Sequence, residues 1–238
     1  MGMKVVAIVP AAGLGTRFSS SIRKSLAMVA GTPLLAVTLK KLNETESLTE
    51  IIPVMRQEDI EKGFEMARKH QLDKVKRIVP GGMERQDSVY NALRLIEEDC
   101  LVLVHDGVRP FIPAGIVESL IKGIEGVDGV IPGIPVNDTL KEVDENSIAV
   151  TTVNRGRYWS IQTPQLFTLS VLRKAYDHAF EDGFYATDDA GLVERIGGKV
   201  RIIPGSRLNI KVTSPEDLHI VEYLLKKNRK KVRVRRPV

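Results

Sequence analysis

The sequence predicts an α/β fold of three layers, in which a doubly wound, mostly parallel sheet lies between two sets of helices and carries a protruding β-hairpin arm. Three observations carry this expectation. Short β-rich apolar runs alternate with amphipathic stretches of helical period along most of the chain. Leu101 to Val104 is uninterrupted apolar sequence, as a central parallel strand covered on both faces requires. The alternation breaks once, at two β-rich runs around Asp144-Glu145-Asn146-Ser147, which read as a hairpin.

In order, Val5 to Val9 opens the sheet and stops at Pro10. Thr32-Pro33 starts a helix with Leu34, Leu35, Leu39 and Leu42 on its apolar positions, ending near Asn43. Ile51 to Met55 reads as a strand and Glu58 to His70 as a helix. Val75 to Val79 reads as a strand ended by Pro80-Gly81-Gly82, and Glu84 to Glu97 as a helix. The hairpin pairs Thr139 to Val143 with Ile148 to Val153. Its mixed faces offer little to an internal core, so it stays an exposed arm or packs on another chain, and a dimer contact is the preferred reading. Trp159, which follows it, suits a core or an interface better than a base-stacking platform. Ser170 to Phe180 is helical. Thr187 is the expected N-cap of a helix through Ile196, with Asp188 and Asp189 in its first turn. Val200 to Ile203 is a strand, and Ser214-Pro215 starts the last helix. One domain is expected over residues 1–225, with the arm at about 137–157 and a basic tail over 226–238.

With 238 residues the chain can bury a full core without dividing. It has no run of eighteen apolar residues, and its start is too directly strand-like for a signal peptide. A single cysteine, Cys100, permits no internal disulfide and reads as a small buried hydrophobe, so a reducing, cytoplasmic setting is expected. The net charge of +5 is an end effect. Lys226 to Val238 holds eight cations and no acid, which leaves the body net negative. A nucleic-acid surface on the body is therefore not expected. The tail reads as a solvated extension, with an RNA-contacting arm as the lesser alternative.

The chemistry concentrates where strands end. After the first strand comes Pro10-Ala11-Ala12-Gly13-Leu14-Gly15-Thr16-Arg17, followed by Lys24. A dinucleotide fingerprint would need glycine where Phe18 stands, and a Walker loop would need glycine where Arg23 stands. A turn with so little side-chain bulk, followed by two cations, fits a polyphosphate cradle; an ordinary tight turn with solvated cations is the alternative. Gly81, Gly82, Arg85 and Ser88 follow another strand, and His105-Asp106-Gly107-Val108-Arg109 follows Leu101 to Val104. In a doubly wound sheet all three clusters share one rim, where ligands bind. Asp106 is placed to hold a hard divalent cation and Arg109 a phosphate; a helix cap or an ion pair with Arg109 is the alternative for Asp106. Asp188, Asp189, Glu216 and Asp217 read as helix-start residues. His70, His178 and His219 lie on helices without ligand spacing.

Seven motifs then appear in order: Pro10-Ala-Ala-Gly-x-Gly-x-Arg17, Gly81-Gly82-x-x-Arg85-x-x-Ser88, Val104-His105-Asp106-x-x-Arg109-Pro110, Asp138-Thr139, Gln162-Thr163-Pro164-Gln165, Ala186-Thr187-Asp188-Asp189-Ala190 and Asn209-Ile210-Lys211-Val212. Together they resemble the 2-C-methyl-D-erythritol 4-phosphate cytidylyltransferases of the non-mevalonate isoprenoid pathway, over about residues 4 to 225. The resemblance implies a Rossmann-like nucleotidyltransferase domain working as a homodimer through its arm, with CTP, methylerythritol phosphate and Mg²⁺. By similarity Ala11, Ala12, Gly13, Gly15, Gly82 and Ser88 would bind the nucleotide, with Arg17 and Lys24 stabilising charge on its phosphates. Asp106 would position Mg²⁺, nucleotide and acceptor, and Arg109, Thr139, Thr163 and Lys211 would hold the acceptor. Arg155 would reach the partner's site; Arg17, Lys24, Arg155 and Lys211 form the implied catalytic set. A ribitol 5-phosphate cytidylyltransferase shares most of these motifs, and a non-catalytic nucleotide- or RNA-binding protein is the alternative of another class. Two departures stand out: Arg23-Lys24-Ser25 where the family usually has Pro-Lys-Gln, and Gly107-Val108 where two alanines are usual.

Overall fold

The computed structural model describes residues 3–13 and 23–234, with side chains to residue 227. The first half of the chain folds as β1 (Val5–Pro10), a small ladder of β2 (Met28–Val29) and β3 (Thr32–Pro33), α1 (Leu34–Asn43), β4 (Glu50–Met55), α2 (Ile60–Lys69), β5 (Val79–Pro80), α3 (Arg85–Leu93), β6 (Leu101–Val104) and α4 (Ile116–Gly123). The second half gives β7 (Gly129–Pro135), the arm strands β8 (Lys141–Val143) and β9 (Ala149–Thr152), β10 (Trp159–Ile161), β11 (Gln165–Thr168), α5 (Leu169–Glu181), α6 (Asp189–Arg195), β12 (Val200–Pro204) and α7 (Pro215–Val234).

The main sheet runs β10-β7-β11-β6-β1-β4-β5, with β12 added parallel to β7. β1 is parallel to both β4 and β6, whereas β11 enters antiparallel between β6 and β7. Alternation along β1 sorts the core: Val6 and Ile8 pack with α3, α5 and α6, while Val5, Ala7 and Val9 pack with α1, α2 and α4. Both faces of the sheet are thereby covered, which is the three-layer arrangement expected. A third cluster of Val29, Leu34, Val108, Val212 and Val221 seats α7.

Several boundaries differ from expectation. Val75 makes one bridge to Ile51, and pairing resumes only at Val79 with Val54, so this segment spends four steps against three on β4 and the ladder breaks. Helix α3 stops at Leu93, short of Glu97-Glu98-Asp99, whose negative charge opposes the carbonyl end of a helix. The N-cap of α6 is Asp188 rather than Thr187, its Oδ1 accepting from the Gly191 amide at 3.0 Å. Helix α7 continues past residue 225 to Val234, because Lys and Arg are good helix formers and no proline intervenes before Pro237. The arm forms as expected, with every residue of β8 and β9 exposed. Among the described residues no helix is long and apolar enough to cross a membrane.

Candidate active site

The carboxyl ends of β1, β5 and β6 open on one cleft of about 790 Å³. It gathers Ala11, Ala12, Gly13, Lys24, Gly82, Ser88, Asp106 and Lys211. Two glycine turns meet at its floor. A Cβ on Gly81 would sit 2.3 Å from the Ala12 methyl, so only glycine lets the turns touch. Each turn is tied to the sheet, the Ala11 amide donating to Val54 O at 2.8 Å and the Gly81 amide to Met55 O at 2.7 Å. The Ser88 hydroxyl accepts the Gly82 amide at 3.2 Å and donates to Glu84 O, which holds the second turn onto α3.

At the end of β6, Asp106 is ringed by cations. Arg85 Nε lies 3.1 Å from its Oδ1, and Lys211 Nζ and Arg109 Nε lie 2.9 and 3.5 Å from its Oδ2. Burial alone would raise the Asp106 carboxyl, but Arg85, Lys211 and Arg109 hold it far below the usual carboxylate range. Arg85 also pairs with fully buried Asp189 at 2.7 Å, and the Tyr176 hydroxyl donates to the other Asp189 oxygen at 2.5 Å. Among the described residues five cations, Lys24, Arg56, Arg85, Arg109 and Lys211, stand against four carboxylates at and around the cleft, Glu58, Glu84, Asp106 and Asp189, a small positive excess that suits an anionic ligand.

The loop carrying Asp106 and Arg109 is held from behind by His105. Its Nε2 lies 3.0 Å from the Arg109 carbonyl, an acceptor only, so Nε2 carries the proton and Nδ1 accepts from the Thr163 hydroxyl at 3.0 Å. That hydroxyl in turn accepts the Asp106 amide at 3.0 Å. Burial drives the His105 pKa down to about 4, so the ring is neutral. Asn209 closes the set, donating to Thr163 O at 2.8 Å while its own carbonyl accepts from Arg109 at 2.8 Å.

Of the expected site residues, Thr163 is buried behind Asp106, and Arg109 lies just behind the cleft lining, paired with Asp106 and donating to Asn209 O. Thr139 and Arg155 lie exposed on the arm, apart from the residues lining the cleft, with Arg155 bonded to the Asn137 carbonyl. Gly15 and Arg17 lie outside the described residues. Reasoning from the sequence missed the roles of His105, Arg85 and Asp189. Asp189 reads as a second helix-start acid, and only its place at N1, one residue inside the cap, turns it toward α5. Both departures have local causes. A Cβ at Gly107 would meet Leu35 Cδ1 at 2.9 Å and Ala11 Cβ at 3.2 Å, while Ser25 donates to Ala11 O at 3.0 Å and Arg23 pairs with Glu58 and Asp59.

Among the described residues no three His, Cys, Asp or Glu side chains cluster as a metal cage. Among the described residues the carboxylates lining the cleft are Asp106, Glu58 and Glu84, oxygen donors of the kind a hard divalent cation takes. Lys211, which pairs with Asp106, is 40% exposed on the cleft side.

Comparison with known proteins gives one answer. The family model described as IspD, 2-C-methyl-D-erythritol 4-phosphate cytidylyltransferase, matches residues 5–227. The protein of that name from Syntrophus aciditrophicus is 43% identical over 229 residues, covering 95% of this chain and 98% of the relative. Its counterpart from Caldanaerobacter subterraneus is 41% identical over 94% of this chain and 100% of the relative. Among solved structures, 4-diphosphocytidyl-2C-methyl-D-erythritol synthase from Anaerococcus prevotii superposes with a TM-score of 0.82 at 30% identity, covering 94% of this chain and 99% of that one. The 2-C-methyl-D-erythritol 4-phosphate cytidylyltransferase from Thermus thermophilus gives 0.76 at 30% identity, covering 95% and 100%.

Proposed function

The chain belongs to the 2-C-methyl-D-erythritol 4-phosphate cytidylyltransferase family, and from that premise we propose that it transfers the cytidylyl group of CTP to 2-C-methyl-D-erythritol 4-phosphate, releasing pyrophosphate. The observation that carries the reading is the convergence of Arg85, Arg109 and Lys211 on Asp106, at the head of a cleft floored by two glycine turns and walled by Lys24.

The mechanism follows from charge. The acceptor phosphate oxygen is already an anion, so the reaction needs no general base, and the one histidine beside the site is neutral, buried and fully engaged. The obstacle is repulsion between that phosphate and the triphosphate. In our reading Ala11, Ala12, Gly13, Gly15, Gly82 and Ser88 seat the nucleotide, while Arg17 and Lys24 lie along its phosphates. Arg109, Lys211 and Thr139 hold the acceptor phosphate, and Thr163 holds the Asp106 loop to them. Arg155 of the arm reaches the cleft of a second copy. An acceptor oxygen bonds to the α-phosphorus from the side opposite the β-phosphate. The bond from that phosphorus to its bridging oxygen breaks, and pyrophosphate departs with the electron pair. Lys24 and Lys211 neutralise the charge that builds on the α-phosphoryl oxygens. Mg²⁺ held by Asp106 and the triphosphate would supply further neutralisation of the phosphates.

The test is product formation. With CTP, Mg²⁺ and methylerythritol phosphate the protein should form the cytidine diphosphate conjugate and pyrophosphate in equal amounts. Activity with ribitol 5-phosphate instead would reassign the acceptor, and no product from folded protein with either would overturn the reading.

A further inference from the structure

Arg23 has no part in the mechanism above, yet it directly precedes Lys24 and is held by two carboxylates. Its guanidinium spans two carboxylates at the start of α2. One nitrogen pairs with Asp59, whose side chain is only 4% exposed, and another lies 2.9 Å from Glu58 Oε1. Among the described residues Arg23 is the ion-pair partner of Asp59, whose Oδ1 is buried with no hydrogen-bond partner. A buried carboxylate with one countercharge holds that countercharge firmly, unlike a solvated surface pair. On the other side of Lys24, buried Ser25 donates to the Ala11 carbonyl at 3.0 Å, and the 3₁₀ turn Lys24–Leu26 is closed by Leu26 N donating to Arg23 O at 3.0 Å. Lys24 is therefore strung between two pinned neighbours, one tied to the segment after β4 and one to the turn after β1. Both segments wall the cleft that Lys24 lines.

We propose that Arg23 and Asp59 form a clamp that positions Lys24 for phosphoryl chemistry. Arg23 is thus a positioning residue, acting on the reaction through Lys24. A lysine on a flexible stem contributes to a transition state only when its backbone is held, and the guanidinium fork holds it through two carboxylates at once. The inference rests on the reading of Lys24 as a catalytic cation.

The experiment is a double-mutant cycle on the full chain, with pyrophosphate release as the rate and thermal unfolding as a check on folding. Arg23→Ala should lower kcat about tenfold, with little change in KM for the acceptor. Asp59→Asn, which keeps the shape and removes the charge, should do the same, and Arg23→Lys should recover part of the loss. In a Lys24→Ala background, Arg23→Ala should add nothing, because a residue acting only through Lys24 has nothing left to position. Should Arg23→Ala unfold the protein, Asp59→Asn carries the same comparison. Wild-type kcat in Arg23→Ala and Asp59→Asn, with Lys24→Ala about a hundredfold slower, would overturn the clamp and leave the role of Lys24 standing. Equal losses in both backgrounds would also overturn it. Wild-type kcat in Lys24→Ala would remove the catalytic lysine and the clamp together.

Discussion

Lys24 and His105 sit on opposite sides of the cleft wall, one a cation lining it and the other a neutral ring behind it. Removing a preorganised cation such as Lys24 costs on the order of 3 kcal/mol of transition-state stabilisation, about a hundredfold in rate. Lys24→Ala should therefore lose about that much kcat while unfolding at the wild-type temperature, as initial rates and calorimetry would show. His105 makes a different prediction. Its ordinary pKa of 6.5 is depressed to about 4 by burial, so an unfolded chain takes up a proton in that window that the folded chain refuses. Its contribution is fully present above pH 6.5 and is lost as pH falls toward 4, an effect of about 3 kcal/mol. Asp106 acts in the same sense at lower pH, since its depressed pKa contributes stability above its ordinary value that acid removes. Urea unfolding at a series of pH values should show this slope, and His105→Asn should flatten it between pH 6.5 and 4. At this scale residue type singles out Arg109 and Lys24, whose cations suit phosphates, and Asp106, whose carboxylate suits a divalent cation, while Lys211 is pointed to only by the family resemblance. It hides the partners that orient them, because a buried histidine or Asp189 is defined by what packs against it.

At the scale of elements, the glycine turn after β5 is the tightest constraint on the cleft. In Gly81→Ala the new methyl would meet the Ala12 methyl 2.3 Å away and the Ser88 hydroxyl at 3.0 Å, so the turns must part. The expected result is weaker CTP binding, a rise of about tenfold in KM for CTP with a smaller change in kcat. Strands with a clean apolar pattern, β1, β4 and β6, are legible in the sequence, as are the long amphipathic helices. β7 is not, because Gly-Val-Ile-Pro-Gly-Ile-Pro carries two breakers of each kind. Packing explains the first of them: a Cβ on Gly129 would lie 2.4 Å from the Phe167 ring. β11 is hidden for another reason, since four residues running straight into α5 leave no turn to mark them. The arm exposes Ile148 and Val150, each 64% accessible, which suits a surface that pairs with a second copy. Ile148→Asp with Val150→Asp should shift the protein toward monomer in sedimentation and lower turnover per chain at low concentration; an unchanged sedimentation profile would argue against the arm as the contact.

Across the whole molecule, the doubly wound sheet explains why residues scattered from Pro10 to Asp106 line one cleft, since the carboxyl ends of β1, β5 and β6 deliver them there, and Lys211 joins them from the segment before α7. Thr139 and Arg155 on the arm do not line that cleft within one chain, so the roles proposed for them would be filled across a second copy. The mixed, exposed faces of the hairpin point to such a contact in the sequence, but not to which cleft Arg155 would enter. The proposed chemistry is attack of the acceptor phosphate on the α-phosphorus of CTP, and methylerythritol phosphate labelled with ¹⁸O in its phosphate reports on it. All of the label should appear in the cytidine conjugate and none in pyrophosphate. Cytidine monophosphate and pyrophosphate appearing while the label stays in free methylerythritol phosphate would contradict it.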